Sequence, residues 1–345
     1  MLYVGIDVHK KNLQVCVVDK HDNRLSNCRV ANQPESVKEH FRRIEASAGV
    51  ALEATHNWGM LYDLLGEMGF DVHICHSKQA KLISLASQKN DKVDAYKLAT
   101  LLRAGLLPEA YVPDVKSREL RNVVRARASL KAQSTVIKNQ IHAILRTNWI
   151  TSPWTDTFGK SGRKFLEGLE IAESYKDVIG CKLSVLDEIE RQIAVISDKI
   201  VNSAHLDARA MLLTTIPGFA EFRAVMVLAE VVDISRFNRA EKLVSYAGLN
   251  PREHSSGESV RRGRISKEGS SWLRWILVEA ALQAIKEEGK IRDLYWRVCE
   301  KKGHNKAIVA AARELAVSVF WMLTRMEPYR PTGKRPSIVV TSEVG

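Results

Sequence analysis

The chain is poor in the features that mark several protein classes. Its five cysteines (Cys16, Cys28, Cys75, Cys181 and Cys299) are odd in number, scattered over 345 residues and never in a C-x-x-C pair. That argues against a disulfide frame or a thiolate zinc site, and for reduced thiols in a cytoplasm. No unbroken apolar run reaches membrane-span length, so no membrane association is expected. The start, Met1-Leu2-Tyr3-Val4-Gly5, lacks a basic n-region and a cleavage pattern, so no secretory signal is expected. Acidic residues are also in the minority: the net charge is +12 and the pI is near 9.4.

The positive excess is unevenly placed. Residues 1–112 hold 14 of the 52 basic and 13 of the 40 acidic residues, so nearly all of the excess lies further along. A near-neutral module joined to basic ones suggests a polyanionic partner, most often nucleic acid.

Four acids stand out against this background. Asp7 ends the apolar run Leu2–Ile6, and Glu53 ends Val50-Ala51-Leu52. Asp91 and Asp94 follow, three apart and therefore on one face of a helix. Short apolar runs that stop at an acid read as buried strands delivering carboxylates to a sheet edge. Converging acids repel unless a cation lies between them. Hard ions such as Mg²⁺ take oxygen ligands, and paired Mg²⁺ ions support in-line attack at phosphodiesters.

The order of elements fits that site. Leu2–Val8, Leu13–Asp19 and Arg24–Ala31 read as three strands, the first two joined by the polar turn His9–Asn12. A helix over Glu35–Ala46, the Glu53 strand, a helix near Trp58–Met68, a strand over Asp71–Cys75 and a helical stretch Lys78–Ala104 follow. This is the order of an α/β ribonuclease-H-like domain, in which a central first strand brings Asp7 beside Glu53.

Beyond it lie two long helical stretches. In Ser117–Arg146, Val123, Leu130, Ile137 and Ile144 recur every seven residues, interrupted by Arg127 and Ser134. Leu186, Ile189, Ile193, Ile196 and Ile200 form an a/d ladder in the second. A coiled-coil arm and an intramolecular bundle core both suit this pattern. From Lys116 to Arg146 the chain carries Arg118, Arg121 and Arg125 among eight basic residues against Glu119, which suits a phosphate-facing surface. Further on, Ile216-Pro217-Gly218 before the helical run Glu221–Glu230 resembles a helix-hairpin-helix turn, whose backbone N–H groups bind phosphate. The stretch Gly248–Lys267 is dense in serine, glycine and arginine, including Arg252, Arg261, Arg262, Arg264 and Lys267. It reads as a basic loop; arginine clamps phosphate and a serine hydroxyl can attack phosphorus.

Five motifs in order then point to a family. Gly5-Ile6-Asp7-Val8-His9-Lys10, Leu52-Glu53-Ala54-Thr55, Asp91-Lys92-Val93-Asp94-Ala95, Ile216-Pro217-Gly218, and Gly248-Leu249-Asn250-Pro251-Arg252 leading to Ser255-Ser256-Gly257 resemble, in order and separation, the DEDD transposases of the IS110 insertion-sequence group, which includes the Piv-type DNA invertases. The resemblance spans roughly residues 1–325. It implies a RuvC-like catalytic domain (1–112), a coiled-coil arm (113–205), a mainly α-helical C-terminal transposase domain (206–330) and a loose tail (331–345). It also implies Mg²⁺ (or Mn²⁺) held by Asp7, Glu53, Asp91 and Asp94, and Ser256 as the nucleophile that links the protein covalently to DNA, with Ser255 one residue away. DNA, a noncoding guide RNA and further copies of the chain (a dimer or tetramer) are the implied partners, in a bacterial or archaeal cytoplasm at the nucleoid. Departures occur at His56, where the family often has glycine, and at Lys89-Asn90 before Asp91, where Lys-Thr is common.

Three rival readings remain. One is a RuvC-like Mg²⁺-dependent endonuclease with water as nucleophile. Another is an actin-like small-molecule kinase, which would need a glycine-rich phosphate loop in a strand–turn context that the chain lacks. The last is a non-catalytic DNA-binding protein.

Overall fold

The structure, a computed structural model, describes residues 1–55, 57–76, 79, 90–256 and 259–331; for residues 253–256 and 259–262 it describes the backbone alone. The chain divides into two compact units, Met1–Pro113 and Asp114–Gly345.

The first unit is built on a five-stranded sheet of order β3-β2-β1-β4-β5. Its strands are β1 (Tyr3–Val8), β2 (Asn12–Val18), β3 (Arg24–Ala31), β4 (Gly49–Glu53) and β5 (Asp71–Cys75). β1–β2 and β2–β3 are antiparallel, whereas β1–β4 and β4–β5 are parallel. This mixed sheet is compatible with the expected ribonuclease-H-like domain. Alternation sorts the side chains of the central strands onto two faces. Val4, Ile6, Leu13, Val15, Val50, Leu52 and Ile74 pack with Val37 and Phe41 of α1 (Pro34–Phe41) and Leu61 and Leu65 of α2 (Trp58–Glu67). Each such side chain, once buried, contributes about 1.5–3 kcal/mol. The opposite face carries Gly5, Cys16, Val18 and Ala51, and it receives α3 (Asp91–Arg103) through Ala95, Leu98 and Ala99. Helix α1 ends at Phe41, short of the expected Ala46. Of the expected helical stretch Lys78–Ala104, residues 78 and 80–89 lie outside the described residues.

In the second unit, α4 (Val115–Thr147) and α6 (Glu173–His205) run as two 33-residue helices packed on each other. Asp114 caps α4, accepting from the Ser117 N–H at 3.0 Å. The pairing lies within one chain, and a coiled-coil arm is not established by it. The first heptad ladder is met only in part: Val123 is 37% exposed, Ile137 and Ile144 are half-buried against an apolar cluster, and the fully buried stripe runs through Val124, Ala128, Ser134, Ile141 and Leu145. The middle of the seam is polar. Arg127 Nε donates to Ser197 Oγ at 2.8 Å, and Lys138 pairs with Glu190 at 2.8 Å. A helix of period 3.6 turns its buried stripe to follow its partner, so a seven-residue count alone misassigns the facing position. The short α5 (Lys160–Glu167) packs against α6 in the connection, where Leu166 and Leu169 join Ile141, Leu145 and Ile179 in one apolar cluster.

The remainder surrounds a larger core. It includes α7 (Ala208–Leu213), α8 (Glu221–Val231), α9 (Ala240–Tyr246), α10 (Ser271–Ala284), α11 (Lys290–Lys302) and α12 (His304–Arg325). Helix α12 is long and apolar enough, by length and composition, to cross a membrane, although charged and polar residues interrupt its apolar run. Its side chains Ala307, Ala311, Leu315, Val319 and Leu323 are buried in this core. The polar stretch read as a loop is instead an antiparallel hairpin, β6 (Pro251–Ser256) and β7 (Ser259–Ile265). The mainly helical domain therefore includes a two-stranded sheet. Within the expected tail, residues 332–345 lie outside the described residues.

Candidate active site

Strand register lines up the acidic site. Ile6 pairs with Leu52, so Asp7 and Glu53 come next on neighbouring parallel strands. Across the sheet Asp7 pairs with Gln14, and Gln14 pairs with Arg29. Period-two alternation places Asp7 on the same face as Gly5, the face that receives α3. Gly5 makes that approach possible. A Cβ there would run into the backbone carbonyl of Ala95 and the amide of Ala99, so only glycine lets the helix lie this close.

The approach delivers the N-terminal turn of α3 toward Asp7. Asn90 caps the helix by accepting from the Lys92 N–H at 3.1 Å. Asp91 and Asp94 lie in that first turn, where the helix dipole favours negative charge. A short relay ties the turn to the sheet: Gln14 Nε2 donates to Asn27 Oδ1 at 2.6 Å, and Asn27 Nδ2 donates to the Lys92 carbonyl at 2.9 Å. At the other end of α3, Asp22 accepts from Tyr96 Oη (2.7 Å), Thr100 Oγ1 (3.0 Å) and Arg103 Nε (3.1 Å).

Asp7 is 8% exposed. Burial pushes its carboxyl pKa up; His9 lowers it, and Asp91, Asp94 and Glu53 raise it further, with a net upward shift. A buried acid surrounded by acids is electrostatically incomplete in a way that a divalent cation would satisfy. The residues present therefore fit a metal. His9, not singled out by the sequence reading, belongs to the same cluster. Its Nε2 lies 3.1 Å from Asp7 Oδ2 and 3.3 Å from Asp91 Oδ2. The available signal was its position two residues after Asp7 at the end of a strand. Arg29 also reaches Asp91, at 3.8 Å, and Lys97 reaches Asp94 at 3.3 Å. The nearby thiols of Cys16 and Cys75 are buried, and burial pushes both up to about 11, which disfavours the thiolate.

The remaining candidates lie in the second unit. The backbone of Ser256 closes β6, paired with Ser259; the side chains of Ser255, Ser256, Arg261 and Arg262 lie outside the described residues. Arg252 donates to the Ser266 carbonyl at 3.3 Å, and Arg264 and Lys267 are exposed. Pro217 and Gly218 form the turn between α7 and α8. There Gly218 adopts φ +78° and its carbonyl accepts from Arg223 at 2.7 Å. Arg118 lies near the start of α4. Arg121 and Arg125 have internal duties. Arg121 donates to the carbonyls of Ala229 (2.6 Å) and Glu230 (3.0 Å) at the end of α8. Arg125 forks onto the Glu230 carboxylate at 2.8 and 3.0 Å. Glu230 is only 1% exposed, and it also accepts from Ser270 Oγ at 2.8 Å.

Comparison with known proteins agrees with this arrangement. Residues 4–150 match the DEDD transposase family of IS110 type, and residues 210–296 match the transposase IS116/IS110/IS902 family. The transposase for insertion sequence element IS1111A of Coxiella burnetii is 25% identical, over 95% of this chain and 91% of that protein. The pilin gene-inverting protein of Moraxella bovis is 24% identical, over 95% of this chain and 97% of its own length. The transposase for insertion sequence element IS1328 of Yersinia enterocolitica is 23% identical over 93% and 96%. With both of its units matched in order and acids meeting where the first match lies, the chain belongs to the IS110 family of DEDD transposases.

Proposed function

We propose that this transposase cuts and rejoins DNA by transesterification, using Mg²⁺ held by Asp7, Glu53, Asp91 and Asp94 and the hydroxyl of Ser256 as nucleophile. The observation that carries the metal half is the meeting of buried Asp7 with Asp91 in the first turn of α3, with Glu53 next to Asp7 in register. A divalent ion there supplies charge neutralisation at the scissile phosphate and eases ionisation of the attacking hydroxyl. The chain's own residues do the rest. Asp7 is held rigidly by its strand, and the Gln14–Asn27 relay keeps α3 in place, so the carboxylates are preorganised. Serine is a weak nucleophile near neutral pH, so pairing it with an acidic metal site is chemically reasonable. Attack forms a Ser256 Oγ–phosphorus bond and breaks a phosphorus–oxygen bond in the DNA, and the departing alcohol takes a proton. Attack by another DNA hydroxyl then restores the serine, so no bond energy is lost.

Residues 1–112 are assigned to metal binding and 206–330 to the serine and, together with Arg118 of the 113–205 segment, to DNA contacts. Those contacts would come from Arg118, Pro217, Gly218, Arg252, Arg261, Arg262, Arg264 and Lys267. The printed names of the relatives, insertion-sequence transposases and a pilin gene-inverting protein, support a recombining outcome. A homo-oligomer in which acids and serine come from different subunits, and a noncoding RNA that selects the DNA, complete the proposal.

The test is a covalent-adduct assay in cells carrying the element and its flanking DNA, with wild type, Ser256→Ala and Asp7→Asn. A nuclease-sensitive shift on denaturing gels in wild type alone is expected. DNA breaks that need Asp7 but survive Ser256→Ala would replace this reading with a nuclease that uses water. That alternative has one point in its favour, since the whole acidic cluster lies within residues 1–113.

A further inference from the structure

The acidic tetrad is all oxygen, but the geometry on the sheet edge is not. One donor atom each from Asp7, His9 and Asp91 lies within 4.8 Å of the other two. Ligands bound at roughly 2.0–2.2 Å around one small cation are separated by about 3 Å when adjacent and at most about 4.4 Å when opposite. The His9–Asp7 and His9–Asp91 separations, 3.1 and 3.3 Å, match adjacent donors on one ion.

His9 is positioned by the fold rather than by chance contact. It follows Asp7 by two residues, so an extended backbone returns its side chain to the same face. Its own N–H donates to the Asn12 carbonyl at 3.0 Å. Its carbonyl accepts from Asn32 Nδ2 at 2.8 Å, and the Asn32 and Asn57 amides bond each other at 3.0 and 3.3 Å. Both sides of the residue are therefore held, which restricts where the imidazole can reach.

We propose that His9 Nε2 is a ligand of the divalent ion held by Asp7 and Asp91. The site then has mixed nitrogen and oxygen donors, and it favours Mn²⁺ over Mg²⁺ more than four carboxylates would. The chemical reason is donor type. Carboxylate and water suit Mg²⁺, while imidazole binds first-row transition ions well and Mg²⁺ poorly. This rests on the reading of the acids as a metal site and goes beyond it by one ligand and a metal preference.

The experiment uses the full chain with Mn²⁺ alone, without DNA. Pulsed electron paramagnetic resonance would look for coupling of bound Mn²⁺ to imidazole ¹⁴N. Titration would give the Mn²⁺ and Mg²⁺ affinities of wild type, His9→Gln and Asp7→Asn. Nitrogen coupling in wild type is expected, together with its loss in His9→Gln. Weaker Mn²⁺ binding in that variant by about tenfold or more, and a smaller Mn²⁺ to Mg²⁺ preference, are also expected. Mn²⁺ that binds in an Asp7-dependent manner without nitrogen coupling would sink the role of His9 and leave the acidic site standing. Coupling that persists in His9→Gln would do the same. Failure of Mn²⁺ to bind wild type, or equal binding to Asp7→Asn, would remove the metal-site reading and this inference together. Absence of nitrogen coupling in wild type decides against His9 even if a variant folds poorly.

Discussion

At the residue scale, Gly5 is as much part of the site as the acids it serves. It bears no chemistry, yet its missing Cβ sets how closely α3 approaches β1, and that distance sets where Asp91 and Asp94 meet Asp7. Gly5→Ala is expected to destabilise the protein by about 1–3 kcal/mol through overpacking. Recombination should fall by at least about a hundredfold, because displacing a catalytic group by an ångström has that scale of effect. Thermal melting and an in-cell excision assay would check both. Full activity with an unchanged melting temperature would show that the helix has slack. Arg125 makes the opposite point. Its charge in a basic stretch reads as a phosphate contact, but its guanidinium forks onto a carboxylate that is 1% exposed. No count of charges along a helix distinguishes the two roles, because Glu230 is more than one hundred residues away in sequence.

At the scale of elements, α3 is held at both ends. The Gln14–Asn27 relay secures its start, and Asp22 secures its later turns. Burial raises the Asp22 carboxyl pKa, but hydrogen bonds from Tyr96 and Thr100 and the Arg103 charge outweigh it, so the net shift is downward. A depressed folded-state pKa means that this contribution is fully present above the ordinary carboxylate value of 3.8 and is lost as pH falls through the lower, folded value. Wild type should therefore lose stability more steeply than Asp22→Asn as pH drops from about 4. At pH 7 the substitution should cost roughly 1–3 kcal/mol. Denaturant midpoints measured across that range would show it, and parallel curves would refute the clamp. The paired helices α4 and α6 were legible as helices, but their facing positions were not. The stripe begins at Val124 rather than Val123, and polar Arg127, Ser134 and Lys138 occupy the middle of the seam. Similarly, Gly248–Lys267 lacks the apolar alternation that announces a strand, and backbone pairing of β6 with β7 makes a hairpin of it.

At the scale of the whole molecule, positive charge separates from the acidic site. A near-neutral sequence of 112 residues carries the acids, and the remainder carries nearly all of the positive excess. Duplex affinity of the full chain should therefore fall steeply with salt, by about 10³-fold between 50 and 200 mM if at least six phosphates are neutralised. Arg264→Ala should lower the slope of log affinity against log salt by about one. Arg125→Ala should leave that slope unchanged and instead destabilise the protein by roughly 3–5 kcal/mol, since it strands the Glu230 charge. Fluorescence anisotropy across a salt series and urea melts would separate the two. A reduced slope for Arg125→Ala would return that residue to the DNA-facing set.

The amino-acid sequence by itself determined the strand and helix order of the first unit, the acids at its strand ends and the family, because these depend on local periodicity and on short ordered motifs. It also marked the second unit as basic, which is a matter of composition. Only the tertiary structure decided that His9 joins the acids, that Gly5 admits α3, and that Arg121 and Arg125 turn inward to α8. Those outcomes depend on register and on distances between segments far apart in the chain. A side chain's charge can be read from its letter, but its partner is set only when strands pair and helices pack.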